Sequence, residues 1–296
     1  MSVHDRTLIT GGGGQLASDL EQVLAERGQV WSRSREDLDI TDDGAVAAAF
    51  SAVAPTVVYN CAAYHNVDVC EDTEDRAFAV NARAVKRLAQ RCAEHGARLV
   101  HVSTNYVFDG TGETPWTEED LPRPRSIYGL SKLAGEHAAL AYAPDVLVAR
   151  TGGLYGEHGS ASKGGNFVVR MIGRARNSSP PTPLRMVADQ RLTPTATSDL
   201  AAALVQASDR GVGGLLHLTN AGACSWYEFT AAIMEEAGID VPIEAVTTGR
   251  GGADRPLNGV LSCARAEAAG LAPLPHWRDA LRSYLARTEL AAAAQA

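Results

Sequence analysis

Thr10-Gly11-Gly12-Gly13-Gly14-Gln15-Leu16-Ala17 decides the fold. It follows the short apolar run Thr7-Leu8-Ile9 and precedes Leu16, Leu20, Val23 and Leu24, which recur at helical spacing. The order is strand, glycine turn, helix, the context in which a dinucleotide fingerprint has physical meaning. Two registers fit, Gly12-x-Gly14-x-x-Ala17 and the wider Gly11-x-x-Gly14-x-x-Ala17. In either, glycine lets the backbone approach a pyrophosphate, and the helix N-terminus offers unpaired N–H groups and partial positive charge. Ala17 is small enough for close helix–strand packing. The competing reading is a glycine turn with no ligand.

Outward from this turn, short apolar runs alternate with amphipathic stretches. Strands are predicted at 7–9, 29–31, 56–60, 98–102 and 146–149, and helices at 15–27, 43–53, 73–95 and 128–142. Gly28 and Gly96 stand where helix stops are expected, each just before a strand. This alternation predicts an α/β protein with a Rossmann-type, doubly wound parallel sheet over residues 1–150. After Arg150 the pattern loosens: Gly152, Gly153, Gly156, Gly159, Gly164 and Gly165 mark loops, and 177–183 is a Ser/Pro-rich connection. Two further helices are expected at 198–208 and 225–237, with a strand at 215–218 between them. Residues 151–296 therefore read mainly as a smaller lobe at the carboxyl edge of the sheet, where ligands of open α/β sheets bind, with some segments returning to the first domain. The alanine-rich tail 291–296 is expected to fray.

The 296 residues suffice for a sizeable core. A net charge of −8 and a pI near 5.5 argue against nucleic acid or an anionic membrane as partner. No run approaches the ~18 apolar residues of a membrane helix. Met1 to Arg6 lead straight into the first strand, which leaves no room for a signal peptide. Cys61, Cys70, Cys92, Cys224 and Cys263 lack C-x-x-C spacing and read as reduced thiols of a cytoplasmic protein. The eight histidines contain no H-x-x-x-H pair, and no metal is expected. Glu118-Glu119-Asp120, before Pro122 and Pro124, reads as a solvated loop. Trp226, Tyr227 and Phe229 read as core or interface, and Trp277 as packing of the last helix.

Tyr128-Gly129-Leu130-Ser131-Lys132 places a phenol and an ammonium one helical turn apart on one face. A tyrosine of pKa about 10 shuttles protons poorly at neutral pH until a nearby cation favours its phenolate. Alone, this spacing also describes an ordinary surface pair. Ser103-Thr104-Asn105-Tyr106-Val107-Phe108-Asp109-Gly110 follows the fourth predicted strand at its carboxyl end, 24 residues before Tyr128 in the case of Thr104. A hydroxyl there can bond a substrate oxygen while Tyr128 exchanges a proton with it, or can simply satisfy a turn.

These blocks, taken in order, resemble the dTDP-4-dehydrorhamnose reductase family of extended short-chain dehydrogenase/reductases. The likeness runs through Thr10 to Ala17, Leu38-Asp39-Ile40-Thr41-Asp42, Asn60-Cys61-Ala62-Ala63-Tyr64, Ala79-Val80-Asn81, Ser103 to Gly110 and Tyr128 to Glu136. It continues at Arg150-Thr151, Asn166-Phe167-Val168, Asp189-Gln190, Pro194-Thr195, Ser225 to Phe229, and Arg255-Pro256 with Asn258. The resemblance implies reduction of a 4-keto nucleotide sugar by a nicotinamide cofactor. Tyr128 would be the general acid, Lys132 would lower its pKa and hold the nicotinamide ribose, and Thr104 would polarise the carbonyl. Gly11, Gly14, Gln15 and Leu16 would wrap the pyrophosphate; Asp39 and Ile40 would flank the adenine; Cys61, Ala62, Ala63 and Tyr64 would line the cofactor cleft. Asn105, Tyr106, Gly153 and Asn166 would face the sugar. Asn81 serves equally well as a cleft residue or as a helix residue bonding nearby backbone.

After the second strand, where an acid would hold the ribose of NAD, the chain reads Ser32-Arg33-Ser34-Arg35. Guanidinium groups suit a 2′-phosphate, so NADPH is expected, with NADH tolerated, unless Arg33 and Arg35 are solvated loop charges. Two departures from the family bear on the substrate. Asn105 stands where Asp is usual, and Gly153 stands where a Trp would wall the sugar pocket, which predicts added room there. Relatives with a divalent ion at a dimer contact leave a homodimer open here, without a matching metal motif. An epimerase or dehydratase of the superfamily, and a non-catalytic dinucleotide-binding subunit, remain the alternatives.

Overall fold

The computed structural model describes residues 3–158, 165–177, 182–249, 251–288 and 290. The tail 291–296, Gly159, Gly164 and most of the 177–183 connection lie outside them. Strands β1 (Arg6–Thr10), β2 (Gln29–Arg33), β3 (Val57–Asn60), β4 (Arg98–Thr104) and β5 (Val146–Thr151) form a parallel sheet. Four short strands follow: β6 (Leu154–Tyr155), β7 (Leu184–Val187), β8 (Arg191–Leu192) and β9 (Thr195–Ala196). β10 (Gly214–His217) then returns to the main sheet, whose order is β10-β5-β4-β3-β1-β2. Every residue of β3 and β5 is buried or nearly so, as strands covered on both faces must be. The chain leaves β1 for β2 at one edge and comes back on the other side of β1 as β3. The carboxyl ends of β1 and β3 therefore flank the switch point, the crevice where open α/β sheets bind ligands.

Helix α1 (Gln15–Leu24) packs on one face with Leu16, Leu20 and Leu24 turned inward. Helices α2 (Asp43–Val53), α3 (Val67–Asp72), α4 (Glu74–Phe78), α5 (Ala84–His95) and α6 (Ile127–Tyr142) follow. Phe50 of α2 and Leu88 of α5 are wholly buried on the opposite face, worth about 1.5–3 kcal/mol each. The predicted helix 73–95 is interrupted by a π turn at Ala79–Arg83. Its cause is tertiary. Asn81 reaches out to the backbone of Tyr64 and to Ser131, and its carbonyl presses on Gly135, where a Cβ would sit 2.1 Å away. The predicted helix 15–27 ends at Leu24.

The second half holds α7 (Phe167–Arg176), α8 (Thr197–Asp209), α9 (Trp226–Glu236), α10 (Ala264–Ala268) and α11 (Trp277–Arg287), with β11 (Cys224–Ser225) and β12 (Ile243–Val246). Leu200 and Leu204 of α8 share the core of α1, so this helix and β10 return to the sheet. A separate core gathers Tyr155, Met171, Phe229, Trp277 and Leu281 from α7, α9, α11 and their neighbours. A capping box between Ser225 and Glu228 starts α9. The acidic loop departs from expectation: Glu118 is almost fully buried and accepts the amide of His217 at 2.8 Å. Only Glu119 of the pair is exposed, bonded to Arg265. No helix among the described residues is long and apolar enough to cross a membrane.

Candidate active site

A cleft of about 640 Å³ opens at the carboxyl ends of β1, β3, β4 and β5. Every site residue expected from sequence lines it except Arg33. Its floor is the glycine turn. Gly11 has φ +78°, and a Cβ there would lie 2.7 Å from the Ala62 amide nitrogen, so only glycine lets the turn press against β3's exit. Gly14 caps α1 without a side chain, which leaves the first-turn N–H groups of the helix uncapped beside the cleft. Gln15 Oε1 is buried without a partner among the described residues. A bare backbone cradle of this shape fits a dinucleotide pyrophosphate.

Two guanidinium groups line the cleft near Asp39. Arg35 Nε stands 3.8 Å from Asp39 Oδ2, and Arg76 of α4 lies 5.2 Å over the Tyr64 ring. The Asp39 carboxyl is held below its ordinary value by two hydrogen bonds from Thr41, with Arg35 and Arg76 adding to the effect. Arg33 contributes its backbone instead, accepting the Gly12 N–H at 2.7 Å. Arg76 was not legible from sequence because it reaches the cleft from a different helix. Burial pushes the Cys61 thiol up to about 12, so it stays protonated at neutral pH. Asn81 is fully buried and spends its amide on Tyr64 N (2.8 Å), Tyr64 O (2.9 Å) and Ser131 Oγ (3.0 Å). It fixes the 61–64 wall.

Thr104 ends β4, opposite Thr151 in register. Its hydroxyl accepts the Tyr106 N–H at 3.2 Å, donates toward Asn105 Oδ1 at 3.4 Å and is near enough to the Tyr128 phenol to lower its pKa. Ser126 caps α6 by accepting the Gly129 N–H at 3.2 Å, which sets Tyr128 in the first turn. Tyr106 packs edge-on against Tyr128 with ring centroids 5.6 Å apart. Burial pushes the Tyr128 phenol up, and Thr104 offsets this only in part. That direction is opposite to the one expected from Lys132. The Lys132 ammonium is turned instead to Val102 O (2.6 Å) and His101 Nε2 (3.4 Å), and burial lowers its pKa to about 8. Behind it, Glu136 accepts Arg150 Nε (2.9 Å), Arg150 Nη2 (2.7 Å) and Ser103 Oγ (2.5 Å), all buried. This ion pair bolts α6 to β4 and β5.

On the far side, Asn105 donates Nδ2 to Gly259 O at 2.9 Å and lies against Gly152, whose Cβ would fall 2.8 Å from Asn105 Cγ. Tyr106 is hydrogen-bonded to Arg255, which pairs with Asp68 at 2.6 Å. Asn166 caps α7: it accepts Val169 N–H and donates to Gly156 O and Tyr284 Oη, so its amide is engaged in the fold. Gly153 lines the cleft as expected, but with φ +60° its Cβ would point at Leu192 Cδ1 (3.0 Å), Pro194 Cα (3.1 Å) and Thr193 O (3.1 Å). A side chain there would be strained and crowded by this wall. The Trp226 and Phe167 rings pack tilted at 46° with centroids 4.6 Å apart, and both line the cleft beside Arg170. Sequence reading gave Trp226 to core or interface; it packs against the core and walls the cleft as well.

The family model described as the RmlD substrate binding domain matches residues 5–290. A dTDP-4-dehydrorhamnose reductase of Streptomyces griseus is 40% identical, covering 93% of this chain and 91% of its own. A probable dTDP-4,6-dihydroxy-2-methyloxan-3-one 4-ketoreductase of Streptomyces antibioticus is 41% identical, with 94% and 93% covered. Among solved structures, dTDP-4-dehydrorhamnose reductase of Bacillus anthracis in complex with NADP superposes with a TM-score of 0.91 at 32% identity, covering 97% of this chain and 100% of that one. Matched almost end to end in sequence and in fold, the chain belongs to the dTDP-4-dehydrorhamnose reductase family.

Proposed function

We propose that this protein reduces the C4 keto group of a dTDP-4-dehydro-6-deoxyhexose with NADPH, taking dTDP-4-dehydro-L-rhamnose or a close variant to the alcohol in deoxysugar biosynthesis. The observation that carries the reading is that Thr104, Tyr128 and Lys132 line the same cleft as the glycine turn. When bound, the reduced dinucleotide supplies a hydride to C4. Gly11, Gly14, Gln15 and Leu16 would hold its pyrophosphate, Arg35 and Arg76 its adenosine end, and Lys132 its nicotinamide ribose.

Tyr128 donates its phenolic proton to the oxygen that becomes negative at C4. A phenol kept protonated by burial suits an acid. Thr104, which lines the cleft beside that phenol, positions the same oxygen. Lys132, one turn away, stabilises the phenolate left behind. Tyr106 and Asn105 wall the sugar, and Phe167, Trp226 and Arg170 offer stacking faces and positive charge for a nucleoside diphosphate. The division near residue 150 into a dinucleotide-binding part and a sugar-binding part belongs to this proposal, as do a cytoplasmic location and a homodimer. Sedimentation velocity would test the homodimer.

Loss of NADPH absorbance with dTDP-4-dehydro-L-rhamnose, and with a second dTDP-4-keto sugar, tests the function. Rapid oxidation that Tyr128→Phe abolishes is expected. Full turnover by Tyr128→Phe would remove Tyr128 as the acid.

A further inference from the structure

Three polar side chains stand in one row across the sheet behind the catalytic lysine. Thr10 on β1 is the register partner of Asn60 on β3, and Asn60 is the register partner of His101 on β4. Thr10 Oγ1 lies 2.7 Å from one end of the Asn60 amide, and the other end lies 3.0 Å from His101 Nδ1. The other ring nitrogen, Nε2, lies 3.4 Å from Lys132 Nζ. Each of the four is buried, His101 completely. Polar groups taken this far from water persist only when each supplies what its neighbour needs. The row also links the residue before the glycine turn to the residue assigned to the ribose.

An ammonium has three hydrogens to place and no lone pair. Val102 O takes one at 2.6 Å. No carboxylate pairs directly with Lys132 among the described residues; Glu136, one turn on, is occupied by Arg150 and Ser103. The groups facing Lys132 are Glu136 from α6, His101 from β4 and Cys61 from the exit of β3. Of these, His101 Nε2 is the neutral acceptor within reach. Its ring can accept only if Nδ1 carries the hydrogen, and Nδ1–H then needs an acceptor. The amide of Asn60 provides one when turned end for end, so that Oδ1 faces His101 and Nδ2 faces the Thr10 hydroxyl. With the opposite turn, Nε2–H would point at a cation.

We propose that His101 is a positioning residue for Lys132: its Nε2 accepts one ammonium hydrogen while Asn60 and Thr10 hold the ring, so that with Val102 O taking a second, the third is aimed into the cleft. This rests on the reading of Lys132 as the cation that serves the ribose and Tyr128. The role explains why a ring that cannot ionise there is kept in a wholly buried place: burial and Lys132 together hold the His101 pKa far below its ordinary value, leaving it a neutral acceptor.

The deciding measurement is the tautomer of His101 in the wild-type protein at neutral pH, from long-range ¹H–¹⁵N couplings of the ring. Nδ1–H with an unprotonated Nε2 is expected. Nε2–H, or a doubly protonated ring, would overturn the proposal whatever the catalytic activity. Two variants give the kinetic counterpart. His101→Phe keeps a flat ring without an acceptor, so the ammonium gives up its proton more readily. Its alkaline limb in kcat should move down by about one pH unit, with KM for NADPH rising roughly tenfold. His101→Gln, which restores a carbonyl acceptor, should recover most of both. An unmoved limb in a folded His101→Phe overturns the proposal, and so does a loss that Gln fails to rescue while both variants melt like the wild type. Tyr128→Phe, run alongside, tests the reaction itself, so the two failures are separable.

Discussion

Lys132→Met should yield a more stable, inactive protein. The folded chain carries an ammonium that is 2% exposed, with one backbone carbonyl and one imidazole as hydrogen-bond partners. Burial drops its pKa from 10.5 to about 8, which at about 1.36 kcal/mol per pH unit amounts to ~3 kcal/mol of folding free energy lost at neutral pH. Methionine has a similar length and none of this cost. Against that gain, Val102 O and His101 Nε2 both lose their donor, worth about 1 kcal/mol each. The net is ~1 kcal/mol in favour of the variant, or roughly 2–4 °C in melting temperature.

The pH dependence identifies the cause. Below about 8 Lys132 is protonated folded and unfolded, and the penalty is constant. Between about 8 and 10.5 the unfolded chain still binds the proton that the folded one has released, so wild-type stability rises with pH and the variant's advantage shrinks. Urea unfolding of both cofactor-free proteins, at neutral pH and at about pH 9.5, reads this directly. A variant less stable than wild type at neutral pH, or an advantage that does not change with pH, would refute the reasoning. Turnover should fall by at least about 10²-fold, as expected when a general acid loses the cation beside it.

Gly153→Trp should cost ~2 kcal/mol or more and bring no gain on any 4-keto sugar, because φ +60° and the backbone of Pro194 and Thr193 oppose any side chain; a well-folded variant with improved kcat/KM would show that the wall yields. Asn105→Asp puts a carboxylate where an amide now donates to Gly259 O at 2.9 Å. Two acceptors then face each other, and a loss of about 1–3 kcal/mol with a lower kcat is expected in melts and steady-state rates. Arg35→Ala and Arg76→Ala should each raise KM for NADPH more than that for NADH, whereas Arg33→Ala should leave the ratio nearly unchanged. Equal effects on the two cofactors would remove Arg35 and Arg76 from the 2′-phosphate.

The sequence by itself determined the sheet, the turn and the chemistry. Alternation of apolar runs with 3.6-residue periodicity is a local property, so β1 to β5 and their helices were legible, and Gly11 to Ala17 announced a backbone cradle without any tertiary contact. Tyr128 and Lys132 were readable as a pair because four residues on a helix always share a face. What was not readable depends on residues far apart in the chain. The π turn at Asn81 exists because Tyr64, Ser131 and Gly135 pull on it from other elements. Arg76 joined Arg35 at the cleft because α4 also faces it, whereas Arg33, the last residue of β2, does not line it. Gly153 read as an opening, and only the fold shows that a Cβ there would meet Leu192, Pro194 and Thr193. Charge state was the least legible of all: the same burial that raises the Tyr128 phenol lowers Lys132, and desolvation is a property of everything packed around a group, which no spacing of residues encodes.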